Sequence, residues 1–517
     1  MKKRIDFPST TPRERILRLG GGLLAALLFL SLWLALHPAR PHLQTSDVYT
    51  HLSVARHLLR GDGFVTDVTY PLSFAFDFAQ ELPQPLIHRG PGFAMLLTVP
   101  VAGVQDDPFT AVSRVRWLQV FFLGLLAWVG IRSHLARHNL QATAMWLVLL
   151  LMSPLMDFAV DWAFVELPAG LLLLLIWLRH RDISSAGPGV IDGLLLGSLA
   201  LLRLDLIWVP LLWWLWGRTE LRTVARRDST LAPAFWNRRL MMALLMVLLA
   251  NLPWLLRNTQ LTGNPVFTLQ SQSELVKDTR LWPDYSVYRQ LQPQPLLKVL
   301  SEDPAPILRK FVRGLKFYFQ NLGRLFPWVG LVVMALALMV YLRGSVDKRP
   351  CPLRPNAQHP MTIIPSESLL GPLVVAGMTL MLLITQYSFF DHSLRHLLVL
   401  YPLVAWELAA VGSKGLSELK GKWTGNRWVM IFPAILFTGL LVKVSLQSLP
   451  GWEFAAQQAL QQNSNLEGKI NRLKKDPAAV PFVNTSAAPW YADRPAVWDP
   501  NNEDIRIIIR ESISQPN

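Results

Sequence analysis

The apolar residues of this chain are gathered into uninterrupted runs of roughly 17 to 22, the length a helix needs to cross a hydrocarbon layer about 30 Å thick. LGGGLLAALLFLSLWLAL at 19–36 is the first of them. A helix that is apolar on every side has no polar face to turn to water. In lipid its own backbone ladder satisfies every N–H and C=O. Composition agrees, with 51% hydrophobic and only 16% charged residues, where a soluble domain carries about a quarter charged. The chain reads as a polytopic, all-α membrane protein.

Its formal charge of +15 raises the question of nucleic acid, and the placement of that charge answers it. Lys and Arg crowd into short segments between apolar runs: MKKR and RERILR at the start, RTELRTVARRD with NRR around 218–239, RGSVDKRP at 343–350, KGLSELKGKWTGNR at 414–427. This is the positive-inside pattern that orients helices, so no nucleic-acid partner is expected. The single Cys351, in one of these loops, excludes an intrachain disulfide. No small-residue cleavage site follows the first run, which is read as a retained span.

With the N-terminus cytoplasmic, the runs predict about eleven spans over 1–447 and a small extracytoplasmic α/β unit over 448–517. A first outer loop covers 38–112, and a large one covers 257–325. Within the first, GPGFAMLLTVPVAG (90–103) is too short to cross and is expected to lie at the interface. Residues 188–217 hold two short apolar halves split by Arg203-Leu204-Asp205, expected to form a hairpin with that tripeptide at its tip. The large loop is net positive, Arg309, Lys310, Arg313, Lys316 and Arg324 among its cations. Long loops escape the charge rule, and cations there are suited to holding phosphate. At the C-terminus, PFVNTS and PAVWD read as strands flanking APWYADR.

Charged and polar residues at the outer ends of spans are informative because a charge inside the bilayer costs about 2.5–3.5 kcal/mol. Four clusters stand there. Ser46-Asp47 can cap a short helix over 48–60 carrying Tyr49 and His51, stopped by Gly61-Asp62-Gly63. His88-Arg89-Gly-Pro-Gly sets a cation at the start of the interfacial helix, its glycines permitting a tight approach. Pro253-Trp254-Leu-Leu-Arg257-Asn258 ends another span. Asp391-His392-Ser-Leu-Arg395-His396 ends a fourth. Each alone has a plain reading as a helix cap or a snorkelling side chain. Together on one side of the membrane they resemble a site for a lipid-linked phosphate.

The ordered set D-x-Y-x5-A-x-x-L-x-x-G-x-G-F, R-x-PGF-xx-LL, an Arg in the short hairpin, PW-xx-RN-x4-GNPV, RH-x4-YP and a terminal Y-xx-RPAV resembles the GT-C membrane glycosyltransferases. The likeness is to the branch of protein O-mannosyltransferases and lipid A aminoarabinose transferases. Two details differ from that pattern: Asp47-Val48 stands where Asp-Glu is frequent, and Arg89-Gly-Pro where two prolines follow. The resemblance implies a GT-C fold and transfer of a sugar from a polyprenyl-phosphate donor to a lipid, glycan or protein acceptor on the outer face of an inner membrane. It implies Asp47 as general base toward the acceptor hydroxyl. Tyr49, His51, His88, Arg89, Arg203, Arg257, Asn258, His392, Arg395 and His396 are the candidates to bind substrate and phosphate. Asp157 and Asp161, in the outer turn after the third span, are candidate ligands of a possible divalent metal. The competing class is a transporter or flippase for a lipid-linked or anionic solute. It calls for inverted repeats and ionisable groups at span centres; the ionisable residues here lie at span ends.

Overall fold

The computed structural model describes residues 12–37, 46–70, 73, 76, 78, 82–136, 139–151, 153–182, 188–225, 233–269, 275–277, 301, 304–325, 370–390, 392–422, 470, 474, 482–483 and 487–498. Asp391, the expected spans at 326–342 and 428–446, and most of the tail lie outside the described residues. Helices dominate. In chain order the first are α1 (Pro12–Leu36), α2 (Ser46–Arg60), α3 (Gly92–Val101), α4 (Pro108–Ala136), α5 (Leu140–Leu151), α6 (Pro154–Asp161) and α7 (Glu166–Asp182). Then come α8 (Val190–Leu202), α9 (Trp208–Ala225), α10 (Pro233–Thr262), α11 (Pro304–Leu325), α12 (Leu370–Ser388), α13 (Arg395–Leu398), α14 (Tyr401–Lys422) and α15 (Ala487–Ala492).

The helices bury large aromatics inward and turn leucines outward. Trp33, Trp146, Trp177, Trp213, Tyr401 and Trp406 are buried in one continuous core. On the opposite faces, Leu24, Leu28 and Leu32 of α1 and Met241, Leu245, Leu248 and Leu252 of α10 are exposed. A soluble protein cannot present such stripes to water; a membrane protein presents them to lipid. Among the described residues α4 and residues Asn237–Thr262 are long and apolar enough to cross a membrane. The pair α5 and α6, bent by 61° at the break between them, is a third candidate. This is an integral membrane protein.

Close helix approach depends on small residues. Gly193 and Gly197, one turn apart on α8, meet Ala243, Val247 and Ala250 of α10, the small-residue spacing that lets helices pack in lipid. The expected hairpin is present. At its base, Arg179 near the end of α7 grips Asp192 at the start of α8 (2.7 Å), and His180 abuts Gly217 on α9. At its tip, Arg203 reaches Glu166 at the start of α7 (2.8 Å). Both arms therefore run alongside α7, and the chain reverses at Arg203-Leu204-Asp205.

Five short strands complete the described structure: β1 (Val65–Thr66), β2 (Val68–Thr69), β3 (Gln84–Pro85), β4 (Phe482–Val483) and β5 (Ala496–Trp498). β1 pairs with β3 antiparallel, and β2, β5 and β4 form a parallel sheet in that order. The tail strands expected from PFVNTS and PAVWD are there, joined by α15. They do not stand alone, since β2, between α2 and α3, is the third strand of their sheet.

Candidate active site

α2 separates two environments. At 3.6 residues per turn, Asp47 and His51 share one side, while Tyr49, Ser53, Arg56 and Arg60 lie on the other. Gly61 (φ +90°) and Gly63 (φ +84°) then turn the chain away, a conformation open to glycine without strain. The Asp47 side borders a cavity of about 390 Å³ lined by α2, α3, α7, the hairpin tip, α10, the end of α12 and α13.

Asp47 lies at one wall of this cavity between two guanidinium groups. Its Oδ1 is 2.8 Å from Arg89 Nη2, and its Oδ2 accepts from Arg395 Nη1 at 2.7 Å. Residues far apart in the chain thus meet on one carboxylate. Burial by itself raises the Asp47 pKa; the two arginines outweigh it and hold the carboxyl well below the usual range. His51 and His88 flank the pair. Burial first, and then the charge of Arg89, pushes the His51 pKa down to about 3 and that of His88 well below its ordinary value. Both are neutral imidazoles at pH 7. They offer hydrogen bonds, not charge, and the His88 ring is stacked on Tyr70 at 3.9 Å.

The lining also carries a second ionic cluster. Arg203 forks onto Asp205 (2.9 and 2.7 Å) and reaches Glu166 and the Tyr387 hydroxyl at 2.8 and 2.9 Å. Tyr387 in turn donates to Asp205 Oδ2 at 2.7 Å and stacks on His396. His396 Nδ1 is 3.7 Å from Glu166. Arg395 and His396, adjacent on α13, therefore serve one cluster each. Asp205, Glu166 and Tyr387 were not among the sequence candidates for substrate contact. Their signal in the sequence is their placement at span ends, which many inert residues share.

The expected residues divide clearly. Asp47, His51, His88, Arg89, Arg203, Asn258, Arg395 and His396 line the cavity. Tyr49 does not: it is buried on the far side of α2, its hydroxyl 3.5 Å from that of Tyr491. Arg257 does not either. It donates to the carbonyls of Leu86 and Phe64, both at 2.9 Å, and lies over Trp254, so it braces the segment leading to His88 and Arg89. His392 is turned to the Ser388 carbonyl (3.4 Å) and to Phe317, outside the lining. Asp161 accepts from Arg116 Nε at 3.0 Å, and neither it nor Asp157 borders the cavity. No group of three or more His, Cys, Asp and Glu arranged for a metal occurs among the described residues.

The tight approach foreseen for Gly-Pro-Gly is real. A Cβ on Gly92 would stand 2.7 Å from the Leu201 carbonyl carbon and 2.8 Å from its oxygen, backbone that has no room to yield. Gly92→Ala is expected to cost about 1–3 kcal/mol by overpacking. It also pushes Arg89 off Asp47, and a shift near 1 Å at a reacting group costs about 100-fold. Thermal melting in detergent beside the rate of the reaction at this site tests both.

No protein-family model matches the chain, and no curated protein matches it. Among solved structures it is similar to ArnT from Cupriavidus metallidurans bound to undecaprenyl phosphate: TM-score 0.50 at 13% identity, covering 98% of this chain and 90% of that one. ArnT from the same organism in the apo state aligns over 96% of this chain and 89% of that one, with TM-score 0.49 and 12% identity. The bound-state likeness extends over nearly the whole chain, and the two chains share a fold.

Proposed function

We propose that this protein is a GT-C glycosyltransferase that moves a sugar from a polyprenyl-phosphate carrier to an acceptor hydroxyl on the outer face of an inner membrane. In this reading it has about eleven spans, a cytoplasmic N-terminus, and its site and C-terminus outside. The observation that carries the reading is Asp47 held by Arg89 and Arg395 at the wall of the cavity. The undecaprenyl phosphate bound to the structurally similar ArnT supports the carrier class.

The arrangement suits a single inverting displacement. The donor is a phosphodiester with one negative charge. The acceptor oxygen forms a bond to the anomeric carbon, the bond from that carbon to the phosphate oxygen breaks, and the electron pair leaves on the phosphate. The acceptor proton goes to Asp47. Charge is conserved, since the carboxylate becomes neutral as the leaving phosphate becomes a dianion. Arg89 and Arg395 are placed to meet that second charge, and guanidinium forks match phosphate oxygens.

The two arginines also regulate the base. While they sit on Asp47 its proton affinity is low; when they turn to a bound phosphate, the buried carboxylate loses their stabilisation and becomes a stronger base. Donor binding therefore prepares the acceptor side. His51 and His88 contribute hydrogen bonds, and the Arg203–Glu166–Asp205 cluster fixes the hairpin tip against the cavity.

Mass spectrometry of envelope glycans and glycolipids from a deletion strain beside its parent is expected to show one missing sugar, identifying donor and acceptor together. The proposal fails if no glycan changes and Asp47→Asn behaves as wild type while vesicles carrying the protein support a solute flux.

A further inference from the structure

α11 is built on three faces. One packs on the protein. Ile307, Lys310 and Tyr318 are buried, Phe311 stacks on Phe389 at 4.3 Å, and Tyr318 donates to the Ser393 carbonyl at 3.2 Å. At 3.6 residues per turn, Leu308, Val312, Leu315 and Phe319 fall within roughly 60° of one another on a second face. Leu308, Val312 and Phe319 are 60%, 57% and 51% exposed. Arg309, Arg313 and Lys316, all exposed, occupy an adjoining stripe, again within roughly 60°.

Oil-like and cationic stripes running side by side along a helix match a boundary between hydrocarbon and anions. The cations continue along the length of α11, so it does not cross the bilayer; it lies across the end of α12. A soluble anion would leave the apolar stripe uncovered, and a lipid headgroup layer covers both stripes at once. We propose that α11 is a membrane-surface helix that docks the phosphate headgroups of anionic lipids through Arg309, Arg313 and Lys316, its leucine and phenylalanine stripe seated in the acyl boundary. Its attachment to Ser388, Phe389 and Ser393, just before Arg395 and His396, joins the lipid surface to the cavity wall. The inference holds whatever reaction the cavity performs.

The test is hydrogen–deuterium exchange of the full chain in nanodiscs of phosphatidylcholine alone, or of an equal mixture with phosphatidylglycerol. Exchange over 304–325 is expected to slow in the anionic discs by about five-fold or more, the factor that one interfacial cation supplies. The slowing is expected to vanish near 1 M salt, where charges are screened beyond about 3 Å. R309Q/R313Q/K316Q is expected to lose it, and R309K/R313K to keep it. Equal exchange in both discs, or lipid dependence that survives in the triple Gln variant or at high salt, overturns the proposal. Because no turnover is measured, the result stands apart from the success or failure of the glycosyltransferase reading.

Discussion

Asp47→Asn is expected to lower sugar transfer by about 10²- to 10⁴-fold while the protein remains in the membrane. The amide matches the carboxylate in shape, so the end of α2 keeps its packing. It can still accept from one arginine but cannot take the acceptor proton. The lost counter-charge at Arg89 and Arg395 costs about 1–3 kcal/mol, because the Asp47 side chain retains 24% exposure and water reaches the cavity. The measurement is turnover with a polyprenyl-phosphate-linked sugar, alongside abundance and melting temperature. Near-normal turnover in a folded variant rules out Asp47 as the base. The pH profile offers a second check. With its pKa well below the usual carboxylate range in the free protein, Asp47 stays ionised as the medium becomes acidic. The kcat/KM profile, which reports the free enzyme, is therefore expected to show no loss from this group until pH drops below that range.

Asp67→Ala is expected to be the most destabilising single change outside the membrane core. Asp67 accepts from Ser53 (2.7 Å), Arg56 (2.8 Å) and His57 (2.9 Å), and both Asp67 and Arg56 are buried. Arg56 also donates to the Trp490 carbonyl at 3.0 Å and stacks 4.4 Å from its indole. Removing the acid leaves a buried guanidinium without its main counter-charge, at a cost of about 3–5 kcal/mol. It also loosens the sheet that joins β2 to the tail. Thermal unfolding in detergent measures the loss, and an unchanged melting temperature would contradict the assigned network.

The same cluster sets two pH windows. Burial favours a higher Asp67 pKa, yet His57, Arg56 and Ser53 bring it down to about 2 from 3.8. Its contribution is therefore complete above about pH 4 and lost as pH falls toward 2. Burial alone would lower the His57 pKa, but Asp67 and Asp62 raise it above 6.5. That contribution is complete below pH 6.5 and lost as pH rises through the raised value. Asp67→Ala should flatten both edges.

Much of this architecture is legible in the primary structure, because lipid imposes a crude and readable rule. A span must be apolar for its whole length, so the runs, the reversal at Arg203-Leu204-Asp205 and the short helix at 92–101 can all be located by counting. Asp47, Arg89 and Arg395 are legible as polar residues at span ends. Arg257 and Tyr49 had the same appearance, yet one braces carbonyls and the other faces the tail. Local spacing shows that a side chain is polar and near an interface, but not which side of α2 meets the cavity and which meets α15.

The sequence alone determined that this chain lives in a membrane, that it reverses at Arg203-Leu204-Asp205, and which acids and arginines are available for chemistry. Those properties follow from transfer free energies, which each segment carries by itself. Only the tertiary structure decided that arginines some 40 and 350 residues from Asp47 close on its two oxygens, that Asp205 and Tyr387 join Arg203 in the cavity lining, and that the tail borrows a strand from the first loop. Those are contacts between distant segments. Their energies depend on how whole helices pack, and no local pattern of residue types encodes that.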